Sequence, residues 1–405
     1  MKHTLIRAAL AGLLAAGMTI AHAQDSLRPE IGKPLQAAQD LVKAGRYKEA
    51  LAKVRDADAV GGKNANESFM IERMRMAAAS GSGDVETAAR SYEVISASPK
   101  VPAGDKLKMV ESIAGSYYRA REYSKAVQWS QRYFRDGGNS PAIRTMLIQS
   151  QYLAGDFAGA AKELTAEVQA TEKAGGTPGE DRLKLLLNAA LKLNDTNGYV
   201  NAVEKLVTYY PKKEYWVDLL SRMQRKSNFS DRFALDTYRL SLATGSMSAP
   251  GDFMEMAQLA LQAGFPAEAK QVVDKGFAAK LLGVGADAAR HQRLRDLVQK
   301  TLDEEKKNLA ADEAQALAAK DGNALVNVGM NQVFNGQGAK GVQLIQQGIG
   351  KGGIKRAEDA KLHLGVAQAA AGDNVKALAT FKGVGGNDGS ADLARLWSLH
   401  LRRKA

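Results

Sequence analysis

The amino-acid sequence predicts an all-α protein built as a solenoid of about ten antiparallel helix pairs. Three observations carry that expectation. A short turn pattern recurs about every 36 residues. Apolar residues fall at i, i+3, i+4 and i+7 on either side of each copy. The composition is 45% hydrophobic but only 6% aromatic, without a single cysteine, in 405 residues. A chain of this length ordinarily folds as two or three domains, whereas an array of small stacked units reaches it without one large core.

The first element is an address. Lys2 and Arg7 form a positive start, Ala8 to Ile20 is an apolar run, and Ala21-His22-Ala23 is a small-residue cleavage site before Gln24. The run is shorter than the roughly 20 residues a membrane span needs, and no later segment approaches that length. Residues 1–23 therefore read as a secretory signal peptide, and no transmembrane segment is expected in the mature chain. An exported protein of this size without cysteine points to a compartment where disulfides are optional, and the short signal fits bacterial export. The expected location is the periplasm.

Beyond the signal, residues 24–286 read as helical repeats. The pattern is a Gly or polar residue, a spacer, an aromatic or apolar residue, two spacers, then Ala. Its clearest copies are Gly45-Arg46-Tyr47-Lys48-Glu49-Ala50, Arg121-Glu122-Tyr123-Ser124-Lys125-Ala126 and Gly155-Asp156-Phe157-Ala158-Gly159-Ala160. Weaker copies begin at Gly83, Asn197, Ser227, Gly264, Gly336 and Gly372. Gly at the first place suits a left-handed helix end. The aromatic fills the corner, and Ala lets the second helix approach the first at the close end of the usual packing distance. A bulky residue there would cost about 1–3 kcal/mol. The preceding helix of one copy shows its stripe in Leu183, Leu186, Leu187, Ala190 and Leu191. Residues 287–321, with Asp303-Glu304-Glu305-Lys306-Lys307 inside, lack the turn and read as a divergent polar helix pair. Residues 322–405 return to the repeat and end in a capping helix. The copy from Gly336 to Gly353 is rich in glycine, which predicts loose packing, since Gly costs about 1 kcal/mol against Ala in a helix.

These residues resemble the tetratricopeptide repeat, or TPR. Trp216-Val217-Asp218-Leu219-Leu220 is similar to the opening of its first helix. Leu364-Gly365, Ala371-Gly372-Asp373 and Ala377 match its Leu-Gly and turn spacing, and Pro99 and Pro211 fall where that family often places proline. The resemblance implies a right-handed superhelix with a concave face lined by the first helix of each unit. The family's inward positions carry over to Tyr118, Arg119, Gln149, Tyr152, Asn188, Asp218 and Arg225, the expected partner-binding residues. Four blocks, Tyr215-Trp216-Val217, Ala257-Gln258-Leu259-Ala260, Lys351 to Arg356 and Leu362 to Gln368, look similar to repeat proteins that accompany TonB/ExbB-type energy-transducing systems of proteobacteria.

Other chemistries fit poorly. Without cysteine there is no thiol nucleophile and no Cys-type zinc site. Gly336-Gln337-Gly338-Ala339-Lys340 and Gly348-Ile349-Gly350-Lys351 lack the spacing and the strand of a phosphate loop. His291, His363 and His400 have no partner at metal-ligand spacing. Neither a cofactor nor a metal is expected, and no glutamate lies in a recognisable catalytic context, so the protein is read as no enzyme. The formal charge of +12 suggests nucleic acid, but export removes the chain from the genome and the basic residues alternate with acids. The partner expected is a protein or peptide of the envelope, held on a scaffold; the second reading is a binding module for cell-wall glycan or exported polysaccharide. N-terminal sequencing of the exported protein should begin at Gln24; an intact Met1 in the mature fraction would remove the signal-peptide reading.

Overall fold

The computed structural model describes residues 27–402. The expected signal peptide lies outside them. The described residues form helices and no strand. The helices are α1 Pro29–Lys43, α2 Tyr47–Asp58, α3 Ala65–Ser82, α4 Val85–Ser96, α5 Ala103–Arg119, α6 Tyr123–Arg135, α7 Pro141–Leu153, α8 Phe157–Lys173, α9 Glu180–Lys192 and α10 Thr196–Tyr209. They continue as α11 Lys213–Gln224, a 3-10 turn at Asp231–Phe233, α12 Ala234–Thr244, α13 Pro250–Gln262, α14 Pro266–Ala278 and α15 Ala288–Ala318. The last are α16 Asn323–Phe334, α17 Gly338–Lys351, α18 Ala357–Ala370, α19 Asn374–Lys382 and α20 Ser390–Arg402. Helices adjacent in sequence pack as pairs, as the periodicity requires. The chain divides into two units, residues 1–170 with 188–194, and residues 171–187 with 195–405.

The repeated turn has one geometry. Its first residue is left-handed at Gly45, Gly83, Gly155, Gly264, Gly336 and Gly372, and Arg121 takes the same conformation with φ 62°. The next residue donates its N–H to the carbonyl five residues earlier: Arg46 to Leu41 at 2.8 Å, Glu122 to Tyr117 at 3.0 Å, Asp156 to Gln151 at 2.8 Å and Asp373 to Gln368 at 2.9 Å. This bond closes the first helix and aims the chain into the second. The small residue then lands at the helix crossing, where Ala50, Ala126, Ala160, Ala269 and Ala377 are all buried. One copy shifts. The left-handed residue is Asn194, φ 54°, and Asp195 caps α10 through the Gly198 N–H at 2.9 Å. Asn197 therefore lies inside α10, three residues later than the turn pattern suggests, and Tyr199 takes the buried place that alanine holds elsewhere.

In the first unit, α1 packs on α2 and α3, and α5 packs on α6 and α7. Ile31, Leu35, Val54 and Ile71 fill one cluster, and Tyr92, Ile95, Val110, Ile113 and Tyr117 the next. Such a contiguous row of small cores is what stacked helix pairs produce.

The second unit departs from expectation twice. Residues 287–321 hold one unbroken helix, α15, of 31 residues, and not a helix pair: the stretch contains strong helix formers and neither Gly nor Pro to end it. Its first half buries His291, Leu294, Val298 and Leu302; its second half buries only Ala316. The glycine-rich pair α16 and α17 is not loosely packed either. A Cβ at Gly329 would stand 2.7 Å from the carbonyl oxygen of Gly341, and one at Gly348 would stand 2.7 Å from that of Gly322. Gly329 on α16 and Gly322 just before that helix face Gly341 and Gly348 on α17, each pair seven residues apart, so the two backbones touch. Loss of helix propensity is offset by contact that no larger residue permits.

The same unit closes on itself. Helix α20 packs against α19 and α18 and also against α10 and α12. Lys226 meets Asp392 at 2.8 Å, Arg232 meets Asp359 at 2.9 Å and also pairs with Asp388, and the Ser230 N–H reaches the Asp388 carbonyl at 2.9 Å.

Between these helices lies a buried charge cluster. Arg239 donates from Nε and Nη2 to both oxygens of Glu268 at 2.7 Å and from Nη1 to Asp236 at 2.8 Å. His363 Nε2 stands 3.2 Å from the same Asp236 oxygen and 3.3 Å from the other. The Phe265 and Phe334 rings flank the guanidinium at 5.2 and 5.4 Å. Burial opposes ionisation of Asp236, but the charges of His363 and Arg239 outweigh it and hold the carboxyl well below the usual carboxylate range. A carboxyl with a depressed folded pKa stabilises above its unfolded value and loses that contribution as the pH falls.

Two outcomes follow from these contacts. Gly329→Ala should cost about 1–3 kcal/mol in urea unfolding, whereas Gly350→Ala, on α17 with open space around it, should stabilise by up to about 1 kcal/mol; equal effects would contradict the close approach. Arg239→Met, which strands two buried carboxylates, should cost about 3–5 kcal/mol at neutral pH, and its deficit against the natural chain should shrink as the pH falls below about 4.

Candidate partner-binding surfaces

In the first unit, helices α5 and α7 lie side by side and bring four of the expected residues together. Tyr118 Oη donates to Gln149 Oε1 at 2.9 Å. Arg119, the neighbour of Tyr118, donates to Ser116 Oγ at 2.8 Å. Tyr152 follows Gln149 by about one helical turn. The two tyrosines are half-buried, while Arg119 and Gln149 are exposed. Each tyrosine also meets the aromatic of its own turn edge-on: Tyr118 on Tyr123 with centroids 5.8 Å apart, Tyr152 on Phe157 at 5.2 Å. The rings are thus oriented by packing, with their remaining surface open. Asn188 is exposed on α9; among the described residues no hydrogen bond or ring contact ties it to this patch.

In the second unit, Lys213, Glu214, Val217, Asp218, Ser221 and Arg225 line an open groove of about 500 Å³ along α11. Their spacing puts them on one stripe of the helix. The expected residues Asp218 and Arg225 are both here. Asp218 is fixed in place, accepting from Tyr199 Oη at 2.7 Å and from Arg222 Nε at 3.1 Å. The Arg222 guanidinium sits 3.5 Å from the Tyr199 ring centroid, a cation–π contact. Burial pushes the Tyr199 phenol up, and its bond to Asp218 adds to that, so the hydroxyl remains a donor. Arg225 is exposed at the end of the helix, and Val217 is 46% exposed. The groove therefore offers a fixed carboxylate, an exposed guanidinium and an apolar step.

Sequence reasoning missed Lys213, Glu214, Val217 and Ser221, although the i, i+4 stripe through Asp218 and Arg225 already contained the signal. It could not find the tie from Tyr199 to Asp218, because the shifted turn at Asn194 conceals which face Tyr199 occupies. Among the described residues no three His, Asp or Glu side chains gather as a metal site would need, and no helix is long and apolar enough to cross a membrane.

No family model matches the chain, and none of the curated proteins does. Among solved structures, yeast Tom70 is 11% identical over 92% of this chain and 96% of its own, with a TM-score of 0.24. The TPR domain of P58(IPK) is 11% identical over 92% and 99%, at 0.23. The pentatricopeptide repeat protein PPR10 from maize is 13% identical over 98% and 66%, at 0.26. Scores this low leave the description of the fold to the chain's own helix pairing and turn geometry: an all-α protein of helix-pair repeats with a TPR-like turn.

Proposed function

We propose that the protein is a non-catalytic scaffold of the bacterial periplasm that holds a protein or peptide partner on the exposed surfaces of its first helices. The observation that carries this reading is the α11 groove, where an open trough mixes an exposed apolar side chain with charged groups, one of them locked by Tyr199 and Arg222 before any partner arrives. Preset polar groups reduce the ordering cost of association, and Tyr and Arg on the α5 and α7 patch are residue types that anchor interfaces. The glycan reading would call for a row of exposed rings; among the described residues every Trp, Tyr and Phe is buried or half-buried, which favours a protein partner. Periplasmic location rests on the signal-like residues 1–23, and a link to a TonB/ExbB-type system rests on the four sequence blocks named above.

A photo-crosslinking amino acid placed at Val217 or Gln149 of the exported protein should capture a defined envelope protein, and TonB or ExbB should appear in the same complex. Tyr118→Ala with Arg119→Ala should keep its helical circular dichroism while capture from position 149 is lost. Capture unchanged in that variant would remove the α5 and α7 patch from the reading. Exported glycan fragments bound by the natural chain, with no protein captured from either position, would overturn the scaffold itself.

A further inference from the structure

The close glycine contact between α16 and α17 has an effect at the end of that pair. There the turn before α16 and the turn after α17 are pinned together. The Gly322 N–H donates to the Gly352 carbonyl at 2.9 Å, Asn323 Nδ2 donates to the Gly353 carbonyl at 3.0 Å, and the Lys355 N–H donates to Asn323 Oδ1 at 3.1 Å. Lys351 Nζ adds a bond to the Leu317 carbonyl at 2.8 Å. Gly352 and Gly353 both have positive φ, 79° and 67°, and the second stands against the Asp321 Cβ. Two segments some thirty residues apart in sequence thus become one fixed edge.

That edge is basic. Lys320, Lys351, Lys355 and Arg356 are all exposed, and none of the ion pairs among the described residues involves them. Asp321 is the acid among them: its carboxylate accepts from the Asn323 N–H at 2.9 Å and Asn323 Nδ2 at 2.7 Å, and the nearby charges of Lys355 and Lys351 favour its ionised form. The acids that follow on α18 are committed elsewhere: Glu358 to Lys361 at 2.7 Å and Asp359 to Arg232. Four cations against one carboxylate leave the edge with a net positive charge, which a complementary anionic surface can neutralise.

We propose that the edge formed by Lys320, Lys351, Lys355 and Arg356 is a docking surface for an extended acidic segment of a partner protein. The proposal stands apart from the α11 groove and from the α5 and α7 patch. The arrangement selects the class of ligand. Asp321 sits among the cations, so a single compact anion placed centrally would meet a carboxylate, whereas carboxylates spaced along an extended chain can reach the flanking cations in turn. Arg356 presents a planar fork suited to a carboxylate. Ile354, the one large apolar residue of the 351–356 segment, is half-buried, which gives a lipid surface little to hold.

The test uses the mature protein and a fluorescent decapeptide of alternating Glu and Ser, with a Gln and Ser peptide as control. Binding should fall at least about tenfold in the variant carrying Lys320→Gln, Lys351→Gln, Lys355→Gln and Arg356→Gln, and by a similar factor for the natural protein in about 0.5 M salt. The variant with Lys300→Gln, Lys306→Gln and Lys307→Gln, which removes exposed cations from α15, should bind as the natural protein does. Equal loss in both variants, equal binding of the Gln peptide, displacement by low millimolar inorganic phosphate, or retention on vesicles of anionic lipid without peptide binding would each overturn the proposal.

Discussion

Two helices joined by a three-residue turn can lie flat on one another only if the residue at their crossing is small. Most of what the chain does structurally follows from meeting that steric condition again and again. At Ala50, Ala126, Ala160, Ala269 and Ala377 a methyl group occupies the crossing, and at Gly341 even the methyl is gone, because the Gly329 backbone lies in its place. The left-handed residue and the bond from its successor to the carbonyl five residues earlier fix the angle at which the chain enters the second helix. The aromatic of the turn then has one place to go, against the end of a first helix: Tyr123 on Tyr118 and Phe157 on Tyr152. The orientation of the α5 and α7 tyrosines is thus inherited from the fold and available to a partner without further ordering.

In the second unit a buried charge cluster joins the apolar cores in holding helices together. Arg239, Glu268, Asp236 and His363 link α12, α14 and α18 through a cluster almost shut off from water. Burying two carboxylates and one guanidinium is costly unless geometry is good, and here the guanidinium is bidentate, flanked by two rings and matched by a nearby imidazole. The result discriminates between arrangements: an apolar cluster would tolerate sliding of α18 over α12, whereas these hydrogen bonds accept one register.

Much of the fold was legible in the sequence because the turn is a local device. Gly45, Gly155 and Gly372 announce helix ends by residue type, and the apolar stripes between them announce helices. Legibility failed where a rule depends on what lies opposite. Glycine inside α16 and α17 reads as weakness until the facing glycine is known, since propensity is a property of one helix and close approach a property of two. The run from Asp287 to Asp321 suggested two helices only because the neighbouring period was imposed on it; its own residues contain no break. At Asn194 a non-glycine residue takes the left-handed place, so the residue types that mark the turn point instead to Asn197. The candidate surfaces were legible by helix and by face, as Tyr118 with Gln149 and Asp218 with Arg225 illustrate. Their wiring through Tyr199, Tyr123 and Phe157 was not, because those partners are set by the packing of separate helices.

The return of α20 to α10 and α12 alters how the second unit can come into being. Lys226 and Asp392 are separated by 166 positions in the chain, so during synthesis from the N-terminus the surface around Trp216, whose ring meets His400 edge-on, stays uncovered until α20 has emerged. A simple linear array can settle repeat by repeat as it is made; here the thirteen residues of α20 act as a clasp that is fitted only after the helices it closes on have been made. Until then the half-built unit exposes apolar area to its surroundings.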